Sequence, residues 1–209
     1  MEKLELRRLM LGGLGTNCYI VRNTETNETV IVDPADQAER VEQHIEQAGT
    51  KPVAVLLTHG HFDHIMAADD LRKKYEIPVY IHELDEAVLE DPMKNLSGMW
   101  ARSYSMKADR LVKEGDILEL AGFRFRVIFT PGHTQGGCCY YLEEENVLFS
   151  GDTLFCCSYG RVDFPTSSAS DMSASVKRLL KELPDKTLVL PGHESETTIE
   201  DEKRYNPLA

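Results

Sequence analysis

The chain has 209 residues, 23 Lys and Arg against 35 Asp and Glu, and a formal charge of −12. That length suits one domain, 1–209, burying roughly 70% of its unfolded surface. The acidic balance, without any Lys/Arg block, disfavours a nucleic-acid partner, because phosphate binding needs clustered cations. No apolar run approaches the roughly 20 residues of a membrane span, and Met1-Glu2-Lys3-Leu4-Glu5 lacks signal-peptide character. A cytoplasmic protein without membrane partners is expected.

In chain order, strands are predicted near 4–10, 17–22 and 29–33, the last two joined by a polar hairpin around Asn23–Asn27. Asp36 to Ala48 has the spacing of an amphipathic helix, ended by Gly49 and Pro52. Val53–Leu57 is an apolar strand, Ile65–Lys74 a helix, and Pro78–Ile81 a strand followed by helical residues to about 90. The stretch from Asp91 to Asp109 is irregular and suited to a flap. Strands return near 117–120, 123–129, 138–142 and 146–150, then a long loop runs from Phe155 to Ser168. A helix at about 170–182, a strand at 187–190 and a short helix near 198–205 complete the chain. Mixed strands with helices outside them imply an α+β fold of sheet packed on sheet, covered on both outer faces.

The polar residues at the strand ends are less ordinary. His59-Gly60-His61-Phe62-Asp63-His64 follows directly on an apolar strand, where three imidazoles and a carboxylate would gain nothing from a hydrophobic core. A metal ion that keeps the imidazoles neutral makes sense of them. Thr130-Pro131-Gly132-His133, Ser150-Gly151-Asp152-Thr153 and Pro191-Gly192-His193 each also end an apolar stretch. Pro and Gly stop each strand and leave the next side chain at the rim of the sheet.

Seven ligands are too many for one ion and suit two. His59, His61 and His133 would hold the first, and Asp63, His64 and His193 the second, with Asp152 bridging. Two divalent ions, offset by Asp63, Asp152 and a hydroxide, leave a residual charge of about +1 to polarise a carbonyl. Zinc is the first choice; imidazole and carboxylate donors also suit iron and manganese.

These motifs, in this order, resemble the metallo-β-lactamase superfamily, with the histidine before Asp63 pointing to its hydrolase branch. Gly160-Arg161-Val162-Asp163-Phe164-Pro165 and the tail Thr197-Thr198, Glu202, Asn206-Pro207-Leu208 look like the short glyoxalase II type. The resemblance implies a four-layer αββα sandwich and hydrolysis of a small acyl ester or thioester by metal-activated hydroxide. Asp63 and Asp152 are then the catalytic carboxylates, Asp63 also as a proton relay. Arg161 falls where glutathione-using relatives carry a substrate-touching lysine; the alternative is pairing with Asp163. The chain stops about sixteen residues after His193, short of the helical domain that binds glutathione in longer relatives, so another carrier thiol fits equally well. Association of identical copies stays open.

Two rivals remain at this level: an iron-dependent persulfide dioxygenase on the same fold, and a non-catalytic metal-binding or sensing protein. The former carries a cysteine where this chain has Tyr159. Cys18, Cys138, Cys139, Cys156 and Cys157 read as reduced thiols, with Cys156 and Cys157 near the pocket mouth. His44 reads as solvated and His82 as a surface or capping residue. Asp33 reads either as an acceptor orienting a ligand imidazole or as a turn former, and Thr134 as a turn cap.

Overall fold

The computed structural model describes residues 3–209, so Met1-Glu2 of the amino-terminal reading lie outside the described residues. β1 (Leu4–Leu11), β2 (Thr16–Asn23) and β3 (Glu28–Val32) pair antiparallel. α1 (Ala38–Ala48) returns the chain so that β4 (Lys51–Leu56) lies parallel to β3. Gly49, left-handed at φ 60°, ends α1 by donating its N–H to the Glu46 carbonyl. After α2 (Phe62–Ile65) and α3 (Ala68–Tyr75), β5 (Val79–His82) joins parallel to β4. After α4 (Glu86–Leu89) and α5 (Ser97–Trp100), β6 (Arg110–Val112) completes a six-stranded sheet in sequence order.

The second sheet starts as an antiparallel meander of β7 (Ile117–Leu120), β8 (Phe123–Phe129), β9 (Cys138–Leu142) and β10 (Val147–Gly151). A small hairpin, β11 (Leu154–Phe155) and β12 (Ser158–Tyr159), leads by a loop to α6 (Ala169–Glu182). β13 (Leu188–Pro191) then lies parallel to β10, with β14 (Thr197–Thr198) outside it and α7 (Ile199–Tyr205) last. Strands β8, β10 and β13 therefore point the same way, and their carboxyl ends share one edge.

Strand alternation sorts the apolar side chains into three cores. Ile31 and Val55 face Val41, Ile45 and Leu71 of the helices outside the first sheet. Val30, Val32 and Leu56 face inward onto Phe125, Val127, Tyr140 and Phe149 of the second. Ile128, Tyr141 and Leu148 turn outward onto Met172, Val176 and Leu179 of α6. Helix, sheet, sheet, helix is the expected four-layer αββα sandwich. The same alternation puts Cys138 between the sheets and Cys139 against α6. No helix among the described residues is long and apolar enough to cross a membrane.

The boundaries shift where tertiary contacts compete with local pattern. The helix expected over Ile65–Lys74 is two pieces, because the Met66 and Ala67 N–H groups donate to the carbonyls of Ala35 and Pro34 at 2.9 and 3.0 Å. The strand expected to start at Val53 starts at Lys51, with Pro52 accommodated where the register with β3 slips between Thr29 and Val30. The irregular stretch contains α5, and the short edge strand β6 that follows it had no prior signal.

Two buried tyrosines cross between the sheets. Tyr140 Oη donates to the Leu57 carbonyl at 2.9 Å and Tyr19 Oη to the Pro191 carbonyl at 2.7 Å. Both acceptors lie two residues before a site histidine, so these bonds set the distance between the two halves of the edge. Tyr140→Phe should cost about 1–2 kcal/mol, lowering the thermal midpoint by roughly 2–8 °C; an unchanged midpoint would show that the Leu57 carbonyl needs no donor.

Candidate metal centre

Each histidine reaches the site because a strand ends just before it. β4 delivers His59 and His61, and α2, beginning at Phe62, turns Asp63 and His64 back toward them. β8, β10 and β13 deliver His133, Asp152 and His193. The turn before His133 needs Gly132, whose φ is 144° and whose absent Cβ would lie 2.4 Å from Met172 Cα. A Cβ on Gly192 would lie 2.3 Å from Asp152 Oδ1, so the loop of His193 can close onto that carboxylate only as glycine.

All seven predicted ligands come together. Donor atoms of His59, His61 and His133 form one group within 4.8 Å of one another, and those of Asp63, His64 and His193 a second. Asp152 touches both: Oδ1 lies 3.3 Å from His64 Nε2, and Oδ2 3.4 Å from His133 Nε2 and 3.6 Å from His193 Nε2. His61 Nδ1 and His133 Nε2 are 2.9 Å apart, and His193 Nε2 is 3.2 Å from Asp63 Oδ2. The Nε2 atoms of His59, His61 and His64 and Oδ1 of Asp152 are buried with no hydrogen-bond partner. Buried polar atoms left unpaired cost about 1–3 kcal/mol each, and a cation among them removes that cost. The donor set fits divalent ions.

The outward nitrogens are fixed by protein. His64 Nδ1 meets Asp33 Oδ2 at 3.0 Å, and Asp33 also accepts from the Thr58 N–H and hydroxyl at 2.8 and 2.7 Å. Asp33 thus orients a ligand imidazole, from a backbone at φ 48°. His133 Nδ1 donates to the Arg161 carbonyl at 2.8 Å, which leaves Nε2 as the lone-pair nitrogen facing Asp152.

Three residues without a signal in the sequence tie the ligand loops together. Asp85, fully buried, accepts from the Gly60 N–H (2.7 Å), the Thr134 hydroxyl (3.1 Å) and the Gly136 N–H (3.0 Å). It joins the His59–His61 loop to the His133 loop, and Thr134 serves this link rather than capping its own turn. Burial pushes the Asp85 carboxyl up to about 6 against these donors. Thr16 donates to Asp63 Oδ2 at 3.0 Å, and Asn17 Nδ2 to the carbonyls of Pro191 and Glu194, both at 3.0 Å. Their effect runs through backbone or a single ligand oxygen across long sequence separations, which no local pattern records.

The remaining candidates fall outside the ligand set. His82 is buried, accepts from the Leu84 N–H at 3.3 Å and stacks on Phe129, so it caps a turn and is not at the surface. His44 is half-buried on α1 rather than fully solvated. Arg161 forms a two-point pair with Asp163 (2.9 and 2.7 Å) and lies over the Phe164 ring. Phe164 in turn packs edge-on against His61 and His133. Cys156 and Cys157 form the turn of the β11–β12 hairpin, which Glu202 holds by accepting from the Cys157 N–H. The stretch 91–109 borders the site through Trp100, which packs on Phe164.

The two groups differ in protonation. Burial, reinforced by neighbouring imidazoles, lowers His59 and His61 well below the usual histidine value; burial also lowers His133. Burial acts to lower His64 as well, but Asp63, Asp152 and Asp33 outweigh it and raise it well above that value. His193 is raised too, against burial, by Asp63 and Asp152. Asp63, despite burial, is brought down to about 2 by His64 and His193.

Comparison with known proteins agrees with this geometry. The family model for the metallo-beta-lactamase superfamily matches residues 11–193. The hydroxyacylglutathione hydrolase GloC of Haemophilus influenzae is 36% identical over 195 residues, 92% of each chain. The crystal structure of the BLEG-1 B3 metallo-beta-lactamase superposes with a TM-score of 0.92 at 38% identity, covering 97% of this chain and 98% of that one. TTHA1623 in a di-iron-bound form superposes at 0.85 with 36% identity, covering 97% and 100%.

The split in protonation predicts two unlike metal-binding steps. Neutral His59, His61 and His133 should take an ion near pH 7 with little proton release. The Asp63–His64–His193 group should release about one to two protons. Stability from charged His64 in the metal-free chain is present below 6.5 and lost as pH rises through its raised value, so affinity at this group should increase with pH. Calorimetry in buffers of different ionisation enthalpy counts the protons; equal release in both steps would contradict the assignment. Separately, Asp85→Asn turns an amide donor toward groups that need an acceptor and should cost about 2–3 kcal/mol in urea unfolding.

Proposed function

Because the chain belongs to the metallo-β-lactamase superfamily, we propose that it is a dinuclear metallohydrolase acting on a thioester, in the manner of glyoxalase II. The observation that carries this reading is the pair of donor groups sharing Asp152, with four buried polar atoms that have no hydrogen-bond partner. His59, His61 and His133 would hold one ion, Asp63, His64 and His193 the other, and Asp152 both. Bound there, divalent ions would supply Lewis acidity and an activated water. Zinc is the first candidate; the di-iron form of TTHA1623 keeps iron in view.

The chain's own residues do the rest. Among the described residues, Ser150, Thr153, Cys138 and Cys139 beside the cluster are engaged or inert. Ser150 Oγ donates to the Leu154 carbonyl, Thr153 pairs with Thr130, and burial raises the Cys138 and Cys139 thiols. Asp63 would serve first as a ligand, with the proton relay a second part for the same carboxylate. Phe164 shields the His61 and His133 rings on the side of the mouth. Arg161 would contact substrate by exchanging Asp163 for a substrate carboxylate, one exposed ion pair for another. A small-molecule partner follows from this reading, and a cytoplasmic location is proposed with it.

A lactam is the second substrate class, favoured by the likeness to BLEG-1. The test is a panel of S-lactoylglutathione, neutral thioesters, lactones and a β-lactam on protein loaded with zinc, iron or manganese. Thioester turnover is expected. Asp152→Ala should lose more kcat/KM than the roughly 10–100-fold typical of residues that merely orient ligands. Arg161→Ala should raise KM for S-lactoylglutathione by less than about fivefold, in keeping with an exposed pair. A loaded protein inert toward every thioester would overturn the reaction class.

A further inference from the structure

The turn of the β11–β12 hairpin carries Cys156 and Cys157, neither of which belongs to the two donor groups around Asp152. Neighbouring side chains on a strand face opposite ways, but Cys157 is left-handed at φ 54°, and the turn brings both sulfurs together. Donor atoms of Cys156, Cys157 and Glu202 on α7 lie within 4.8 Å of one another. Cys157 is exposed and Cys156 half-buried, so a solute can reach the sulfurs, whereas Glu202 is buried. The other three cysteines lie in three different cores. Glu202 Oε1 accepts from the Cys157 N–H at 2.9 Å and the Thr197 hydroxyl at 2.7 Å, and Oε2 from the Asn206 amide at 2.7 Å. A carboxylate offers about four lone-pair sites, so one stays free beside two thiols.

We propose that Cys156, Cys157 and Glu202 form a separate metal site, for a thiophilic divalent ion of the zinc class, that clips the hairpin turn to α7. Mixed thiolate and carboxylate donors suit zinc. Two sulfurs each about 2.3 Å from a tetrahedral ion lie roughly 3.8 Å apart, inside the observed span. Water completes the fourth position. Binding releases the two thiol protons to solvent and leaves both sulfurs as thiolates. Desolvation, Cys156 and the carboxylates of Glu202 and Asp201 raise the Cys157 thiol. That thiol is a weak nucleophile, while the same carboxylates attract a cation that displaces its proton. A disulfide is the poorer outcome. The peptide is trans, which sets adjacent Cα atoms about 3.8 Å apart, and disulfides usually span at least roughly 4.4 Å. The clip bears on the metal centre through the hairpin, since Phe155 packs on His193 and the Arg161 carbonyl accepts from His133 Nδ1. The site is independent of the reaction proposed above.

Cadmium is the probe, because it substitutes for zinc and gives an ultraviolet charge-transfer band with thiolate. Protein whose histidine centre is loaded with zinc, kept reduced with a phosphine, is titrated with cadmium. Histidine and carboxylate donors give no such band, so exchange at that centre is silent. We expect one equivalent to raise the band, half-saturating below roughly 1 μM, and the band to be lost in Cys156→Ser and in Cys157→Ser. Glu202→Gln keeps an acceptor for the Cys157 N–H and should weaken binding at least about tenfold while leaving the band. Amide hydrogen exchange over 155–160 should slow with cadmium in wild-type protein and not in Cys157→Ser. No band, a band that saturates only far above that concentration, or one that survives both serine variants overturns the site. Unchanged affinity in Glu202→Gln overturns the three-donor site, and binding without slower exchange overturns the clip. If Glu202→Gln does not fold, the serine variants at the accessible turn decide.

Discussion

Four polar atoms, three imidazole nitrogens and one carboxylate oxygen, are buried without hydrogen-bond partners among the metal-ligand side chains at the edge of two packed sheets. Left alone, such a cluster opposes folding, because these atoms have given up water without forming a full hydrogen bond. Everything around it acts to keep it from relaxing. His64 sits among Asp33, Asp63 and Asp152 at 3.0, 3.5 and 3.3 Å, which favours a positive charge at that point. In the free chain a proton can supply that charge; a divalent ion supplies more of it. The carboxylates are thus already arranged around a cation before a metal arrives.

That arrangement depends on contacts made across the two sheets. The first sheet contributes His59, His61, Asp63 and His64, and the second His133, Asp152 and His193. Neither half is a complete site. The Tyr140 and Tyr19 hydroxyls fix the sheets at the level of Leu57 and Pro191, and the Thr58 carbonyl takes the Cys138 N–H at 2.9 Å. Asp85 then links the loops above that level. A carboxylate serves this purpose well because it accepts from several donors at once, including backbone N–H groups that no hydroxyl could satisfy alone. Its raised value records how strongly burial works against it.

The sequence made the ligand set legible because its segments follow apolar strands and Gly directly precedes His61, His133, Asp152 and His193, so position at a sheet edge is a local property. The layers were legible for the same reason: Ile31, Val30 and Val32 alternate between cores as a period of two requires. What escaped is long-range. The break at Met66–Ala67 comes from the carbonyls of Pro34 and Ala35, and the roles of Asp85 and Thr16 come from neighbours dozens of residues away. Asp33 could be weighed as an orienting acceptor, but only the approach of His64 Nδ1 distinguishes that role from a turn.

The mouth of the site divides its chemistry by side. Toward Phe164 lie an arginine and an aspartate that neutralise each other at the surface, where solvent makes such a pair easy to exchange. Toward Leu14 and Trp100 lies apolar area whose charged lining residues, among those described, are Asp36 and Asp63. Solvent screening weakens the first side as a source of selectivity, whereas desolvation of an apolar group strengthens the second. The cleft thus sets an exchangeable, solvent-screened charge pair on one flank against apolar area on the other.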